Sequence, residues 1–294
     1  MQKTSEMLAE FGAKIITIEY LSPLGGEEKT KKSNKLEFNL KNKKISAFVL
    51  QKIVPRVHVV TESFRPGVME RFGLGPEAMH AINPGLVYVR VSGYGQYVGQ
   101  SGLTGAAGRD LNYLAAAGVL NKFRRDEKGS VPAFPGNILT YYGGGSIYAL
   151  TLILQALLQK QENTVVTCPL TQNVAYLAQL ELLDPHYNRP TDTPGRKPHN
   201  YTKPQHSVYK LLDGRYFVFR PGGVLYQELE KAHFGNDDID EAGTFQETIQ
   251  LACSDMAVAD IEAKYGPIEI LQDLQSATAN PATFSQRLTN KPGK

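Results

Sequence analysis

Apolar and polar positions along the chain alternate between two periods, and the switches between them divide it into elements. The segment Glu6–Gly12 is amphipathic and ends on a glycine, which predicts a short helix. Lys14–Glu19 is a β-branched run and predicts a strand. Ile45–Val54 has helical spacing, Val57–Glu62 reads as a second strand, and Pro66–Phe72 and Pro76–Ile82 read as short helices opened by proline. Leu86–Ser92 is a third strand, mostly apolar, as expected of one covered on both faces. Ser146–Gln159 predicts a core helix, Thr164–Thr167 a short strand and Leu170–Leu183 another helix. His206–Leu211 and Arg215–Phe219 form a hairpin around Asp213-Gly214, with a helix over Val224–Phe234 and an acidic loop at Asn236–Ala242.

Strand, helix, strand, helix, strand predicts an α/β fold with a Rossmann-like, doubly wound parallel sheet, whose ligands gather beyond the strand C-terminal ends. Those ends are Glu19-Tyr20, Glu62–Arg65 and Ser92–Tyr94. The expected organisation is a large α/β domain over 1–184, a proline-rich linker over 185–200, a smaller α+β domain over 201–273 and a short return segment over 274–294.

Composition narrows the function. An apolar fraction of 41% allows a sizeable core, while a net charge of +3 is too small to argue for nucleic acid. Two cysteines and six scattered histidines supply neither a disulfide framework nor a metal cluster, so no metal is expected. No stretch is apolar for long enough to span a bilayer, Ser146–Leu158 being the longest, and the first residues lack a secretory h-region. These features predict an intracellular protein. Seven lysines lie between Lys29 and Lys44, either a solvated surface or a lip that collects phosphates.

The chemistry gathers around Gly108–Tyr113. Glycines at 93, 95, 99, 102, 105 and 108 lead into it, and an apolar helical pattern follows. Asp110 therefore falls at a helix N-terminus, where it caps the helix or is presented to a glycine-lined cavity as nucleophile or base.

Several stretches carry a resemblance. Thr61–Glu77, Asn83–Gln96, Gly108–Leu114, and Asn137–Leu139 with Gly143–Gly145 resemble family III CoA-transferases, the family of carnitine-CoA and formyl-CoA transferases, and most closely its α-methylacyl-CoA racemase branch. The likeness is dense from about Leu8 to Ala178 and looser to about Pro281. It implies an interlocked homodimer acting on a small-molecule acyl-CoA, with the coenzyme A thioester as substrate and no tightly bound cofactor. By position, Asn39, Leu40, Lys41, Ser63, Phe64, Arg65 and Arg71 match CoA-contacting stretches. Gly108, Leu111, Asn112 and Tyr113 match the stretch around the thioester, and Gly143–Gly145 matches a mobile glycine loop.

The chain also departs from that pattern. The racemase branch uses a histidine and an aspartate as opposed bases; Arg109 and Tyr141 stand at those positions. A supporting glutamate becomes Gly222, and an arginine of the CoA site becomes Tyr20. Arginine stays protonated, and tyrosine, with a pKa near 10, is a poor base at neutral pH. Both ends read as short for the family. Three readings stay open: a racemase or epimerase of 2-methylacyl-CoA with replaced bases, a CoA-transferase using Asp110 as nucleophile, and a catalytically impaired CoA-binding member. Asp110, Arg109 and Tyr141 are the candidate catalytic residues.

Overall fold

A computed structural model describes residues 2–20, 35–96, 102–123, 131–179, 208–219, 224–233, 249–265 and 269–270. The described residues fall into two compact units.

The first unit begins with helix α1 (Gln2–Glu10) and strand β1 (Thr17–Tyr20). Strand β2 (Lys35–Phe38) pairs with β1 in parallel as a two-stranded sheet. The lysine-rich reading of this region missed it: Leu36 and Phe38 alternate with Lys35 and Glu37, which is a strand signature inside a charged run. Helix α2 (Lys43–Phe48) is capped by the Asn42 side chain and continues through a wide π-type turn, Val49–Ile53. Next come β3 (Val59–Glu62), the single-turn helices α3 (Val68–Arg71) and α4 (Pro76–His80), and β4 (Val87–Ser92). After α5 (Asp110–Ala116), π-type turns over Leu139–Ile147 run into α6 (Tyr148–Gln159); β5 (Val165–Pro169) and α7 (Leu170–Leu177) complete the unit.

Strand β4 is the centre of a parallel sheet ordered β3-β4-β5. Its two faces feed separate cores. Tyr88 packs with Leu40, Val54, Leu74, Met79 and Leu86, while Val87, Val89 and Val91 pack with Ala149, Ile153 and Cys168. This two-sided burial is why the strand's sequence is so apolar. The expected single sheet is corrected in one respect: β1 pairs with β2 rather than with β3, and β5 supplies the third strand. His80 is a satisfied core histidine, its ring nitrogen 3.0 Å from the Leu86 carbonyl.

The second unit holds the antiparallel hairpin β6 (Val208–Lys210) and β7 (Tyr216–Val218), with β8 (Glu269–Ile270) paired to β7. The turn is the expected one. Gly214 takes a φ of +80°, a conformation open to glycine, and the Asp213 carboxylate accepts from the Arg215 amide. Tyr209, Phe217, Phe219, Ile249, Cys253 and Ile261 form the core against helical segments at 224–233, 249–254 and 258–265.

Among the described residues no helix is long and apolar enough to cross a membrane. The proline-rich linker, the acidic loop at 236–242, Gly222, the return segment, Lys29, Lys31, Lys32 and the side chain of Tyr20 lie outside what is described.

Candidate functional site

The C-terminal ends of β3 and β4 open onto a cavity of about 660 Å³ within the first unit. Ser63, Phe64, Arg65 and Pro66 follow β3 along one wall. Ser92, Gly93, Tyr94 and Gly95 follow β4; Gly105–Gly108 and Tyr113 come from the approach to α5 and from α5 itself. Asn137, Tyr141, Tyr142, Gly145 and Ser146 close another side, and the first turn of α1 contributes Gln2, Lys3, Thr4 and Glu6. Parallel strands collect ligands at this end because successive loops converge there.

Tyr113 is the pivot of the aromatic wall. Its hydroxyl donates to the Gly108 carbonyl at 2.7 Å, and its ring meets Tyr94 edge-on with 5.0 Å between centroids. Tyr141 stands 6.3 Å away on the other side, also edge-on. A Cβ on Gly93 would stand 2.3 Å from Tyr113 Cε1, and one on Gly108 2.5 Å from the same atom. Both glycines are therefore required by the ring's close approach rather than by a turn. Burial raises the Tyr113 pKa above the ordinary tyrosine value, with Tyr141, Tyr94 and Asp110 adding to it and Arg65 opposing.

Of the candidate catalytic and CoA-binding residues, Ser63, Phe64, Arg65, Gly108, Tyr113 and Tyr141 come together around this space. The others do not line it. Leu40 is in the core, and its carbonyl accepts from Ser46; Asn39, Lys41 and Arg71 are exposed. Leu111 and Asn112 lie on the outer face of α5, and Arg109 is exposed.

Asp110 is the first residue of α5, as its setting predicted, but its carboxylate does not cap that helix. Oδ1 accepts instead from the Tyr141 amide at 2.9 Å, across 31 residues of chain. The cap comes from Asn112, whose Oδ1 accepts from the Arg109 amide at 2.9 Å. Asp110 is 2% exposed, and neither its Oδ2 nor the Thr140 hydroxyl beside it has a hydrogen-bond partner among the described residues. Burial raises its pKa; the Tyr141 amide and the nearby Thr140 hydroxyl pull the other way.

The glycine run is a second correction. Gly143–Gly145 lies inside the π-type turns of Leu139–Ile147, not in a loop. A Cβ on Gly144 would stand 3.2 Å from the Val174 nitrogen of α7, and one on Gly145 2.8 Å from Leu170 Cδ2. Asn173 donates to the Gly144 carbonyl at 2.7 Å. Close packing against α7, not backbone freedom, explains these glycines.

Two contributors escaped the sequence reading. The first turn of α1 begins at Gln2, four residues before the predicted helix, and Thr4 there reaches the Ser146 carbonyl at 3.5 Å. Glu62 is 6% exposed at the end of β3, and its one sequence signal is a carboxylate closing an apolar strand. Burial pushes it up to about 7, against the Phe64 amide and Arg90, with Glu70 adding to the rise. Among the described residues no group of three or more His, Cys, Asp or Glu side chains could hold a metal.

Comparison with known proteins adds the lineage. The profile of CoA-transferase family III matches residues 2–267. The α-methylacyl-CoA racemase of Mus musculus is 32% identical over 216 residues, covering 72% of this chain and 55% of that protein. The Homo sapiens racemase is 34% identical over 181 residues, covering 58% and 44%. The chain thus spans about half the length of these curated relatives. A CAIB/BAIF family protein from Brucella suis superposes with a TM-score of 0.70 at 17% identity, over 95% of this chain and 82% of its own. Rv3272 from Mycobacterium tuberculosis gives a TM-score of 0.68 at 21% identity, over 95% and 81%. These likenesses show a mixed α/β fold shared with the family's solved structures.

Proposed function

The chain belongs to CoA-transferase family III, and from that premise we propose that its cavity receives a 2-methylacyl-CoA thioester while lacking an efficient pair of bases for the α-proton. One observation carries this reading: Ser63–Arg65 of a CoA-matched stretch and Gly108 and Tyr113 of the thioester-matched stretch, far apart in sequence, line one space. Arg65 brings a permanent positive charge to the wall beyond β3, suited to a phosphate. Tyr113 and Tyr141 face the same space from the aromatic side and suit the uncharged thioester end.

The racemase chemistry of the relatives needs a base on each side of the α-carbon. Arg109 cannot accept a proton and is exposed outside the cavity lining, and Tyr141 offers only a phenol. Transfer through an acyl-Asp110 is less favoured: the carboxylate is enclosed behind the Tyr141 backbone, and a thioester carbon would reach it only by displacing that wall.

Calorimetric titration tests the binding half of the proposal. Wild-type protein is expected to bind CoA and 2-methylacyl-CoA, and Arg65→Ala to weaken binding by about 10- to 100-fold, the worth of one charge-assisted contact. Equal affinity in both proteins, or no binding by wild type, overturns it.

A further inference from the structure

The wall beyond β3 is backed by an ionic cluster, buried at Glu62 and open to solvent at Glu70, that no contact with the cavity explains. Glu62 and Arg90 sit opposite each other in the parallel register of β3 and β4. Arg90 Nε lies 3.6 Å from Glu62 Oε1, and its Nη2 pairs closely with Glu70 Oε1 on α3. The guanidinium also lies 5.3 Å from the centre of the Tyr88 ring, on the face of β4 otherwise given to core packing. Burying Glu62 and most of the Arg90 side chain is costly to desolvate, and hydrophobic residues of the same volume at those two positions would serve stability as well. The cluster therefore asks for a reason beyond stability.

Its free end supplies one. Glu62 Oε2 accepts the Phe64 amide at 2.6 Å, a short bond of the kind made by a charged acceptor. That bond fixes the backbone as it leaves the strand, one residue before Arg65. Glu62 itself does not line the cavity, whereas Ser63, Phe64 and Arg65 do.

We propose that Glu62 is a positioning residue for the anion-binding loop Ser63–Arg65: braced by Arg90, its carboxylate holds the Phe64 amide and so aims Arg65 at the bound phosphate. The proposal rests on the reading of the cavity as a CoA site. The charged groups acting on Glu62 are Arg90 from β4 and Glu70 from α3, with the buried Tyr88 phenol of β4 beside them. Burial outweighs Arg90 here, so the carboxyl takes up its proton at about 7 rather than 4.5. Below that pH the carboxyl is neutral, its hold on the amide weakens, and so does its pull on Arg90.

The test is CoA titration of wild type, Glu62→Gln and Arg65→Ala between about pH 6 and about pH 8.5, with thermal midpoints recorded at each pH. Glutamine keeps the shape of the protonated acid. At high pH Glu62→Gln is expected to bind CoA about five- to tenfold more weakly than wild type, and the ratio should close as pH falls through about 7. The ligand's own phosphate titration cancels in that ratio. Glu62→Asp, which keeps the charge on a shorter arm, should retain a pH-dependent ratio to Glu62→Gln. A merely structural role would give a ratio independent of pH that follows the thermal midpoints, and that result overturns the proposal. Equal affinity of wild type and Glu62→Gln at every pH, with Arg65→Ala still weak, overturns it while leaving the cavity reading intact. Absence of wild-type binding removes the cavity reading and this inference with it.

Discussion

Two carboxylates lie buried a short way behind the cavity, and they are held in different ways. Glu62 has a loop amide on one oxygen and, 3.6 Å from the other, a guanidinium nitrogen that pairs with it by charge without a hydrogen bond. Asp110 has a single amide, no cation, and one oxygen with no hydrogen-bond partner among the described residues. Burial raises the pKa of both. The contrast separates two jobs. A carboxylate with a cation beside it and a loop amide on one oxygen is suited to holding backbone in place, whereas Asp110, held by one amide with no cation, is shut behind a tyrosine backbone. Arg65 puts charge on the wall that follows β3, while Tyr94, Tyr113 and Tyr141 make up the aromatic wall and Arg109 stands outside both.

The largest expected effect bears on the aromatic wall. A positioned acid or base contributes about 10²- to 10⁴-fold, so α-deuterium exchange from a 2-methylacyl-CoA in heavy water should fall at least that far below a two-base enzyme. Arg109→His should leave it unchanged, because that position is exposed and outside the cavity lining. Rapid exchange by wild type, followed by mass spectrometry, would erase the distinction between the two walls. A smaller effect tests the aromatic packing. Gly93→Ala drives a methyl into Tyr113 and should lower stability by about 1–3 kcal/mol in denaturant unfolding. Gly102→Ala, where a Cβ would meet nothing within 4 Å, should be nearly neutral. The smallest effect sharpens the charged wall. Arg71 is exposed and does not line the cavity, so Arg71→Ala should change CoA affinity by less than about threefold, as screened surface charges do. A loss as large as that of Arg65→Ala would extend the anion site along α3.

Much of this was legible in the sequence, for identifiable reasons. Strand β4 and the 208–218 hairpin carry local signals, an apolar β-branched run and an Asp-Gly turn, and both form as expected. The placement of Ser63–Arg65 with Gly108 and Tyr113 at one cavity followed from the rule that parallel strands offer their C-terminal ends to ligands. What stayed hidden depends on partners distant in the chain. Nothing near Asp110 in sequence says that the Tyr141 amide will take its carboxylate. Nothing beside Gly143–Gly145 says that α7 will press against it, so the run reads as a loop. Strand β2 was hidden by its lysines, and Glu62 by its resemblance to an ordinary strand terminus.

The packing of Gly144 and Gly145 against α7 reaches beyond the site itself. Glycine inside a helical segment lowers its intrinsic stability by roughly 0.5–1 kcal/mol per residue relative to alanine, so Leu139–Ile147 is weak as a helix on its own. It is held instead by Leu170, Val174 and the Asn173 amide, which donates to the Gly144 carbonyl and reaches the Cys168 sulfur at 3.0 Å. Leu139–Ile147 cannot separate from α7 without losing this support. Leu139–Ile147 and α7 are therefore expected to open as one cooperative unit, their amide hydrogens exchanging together.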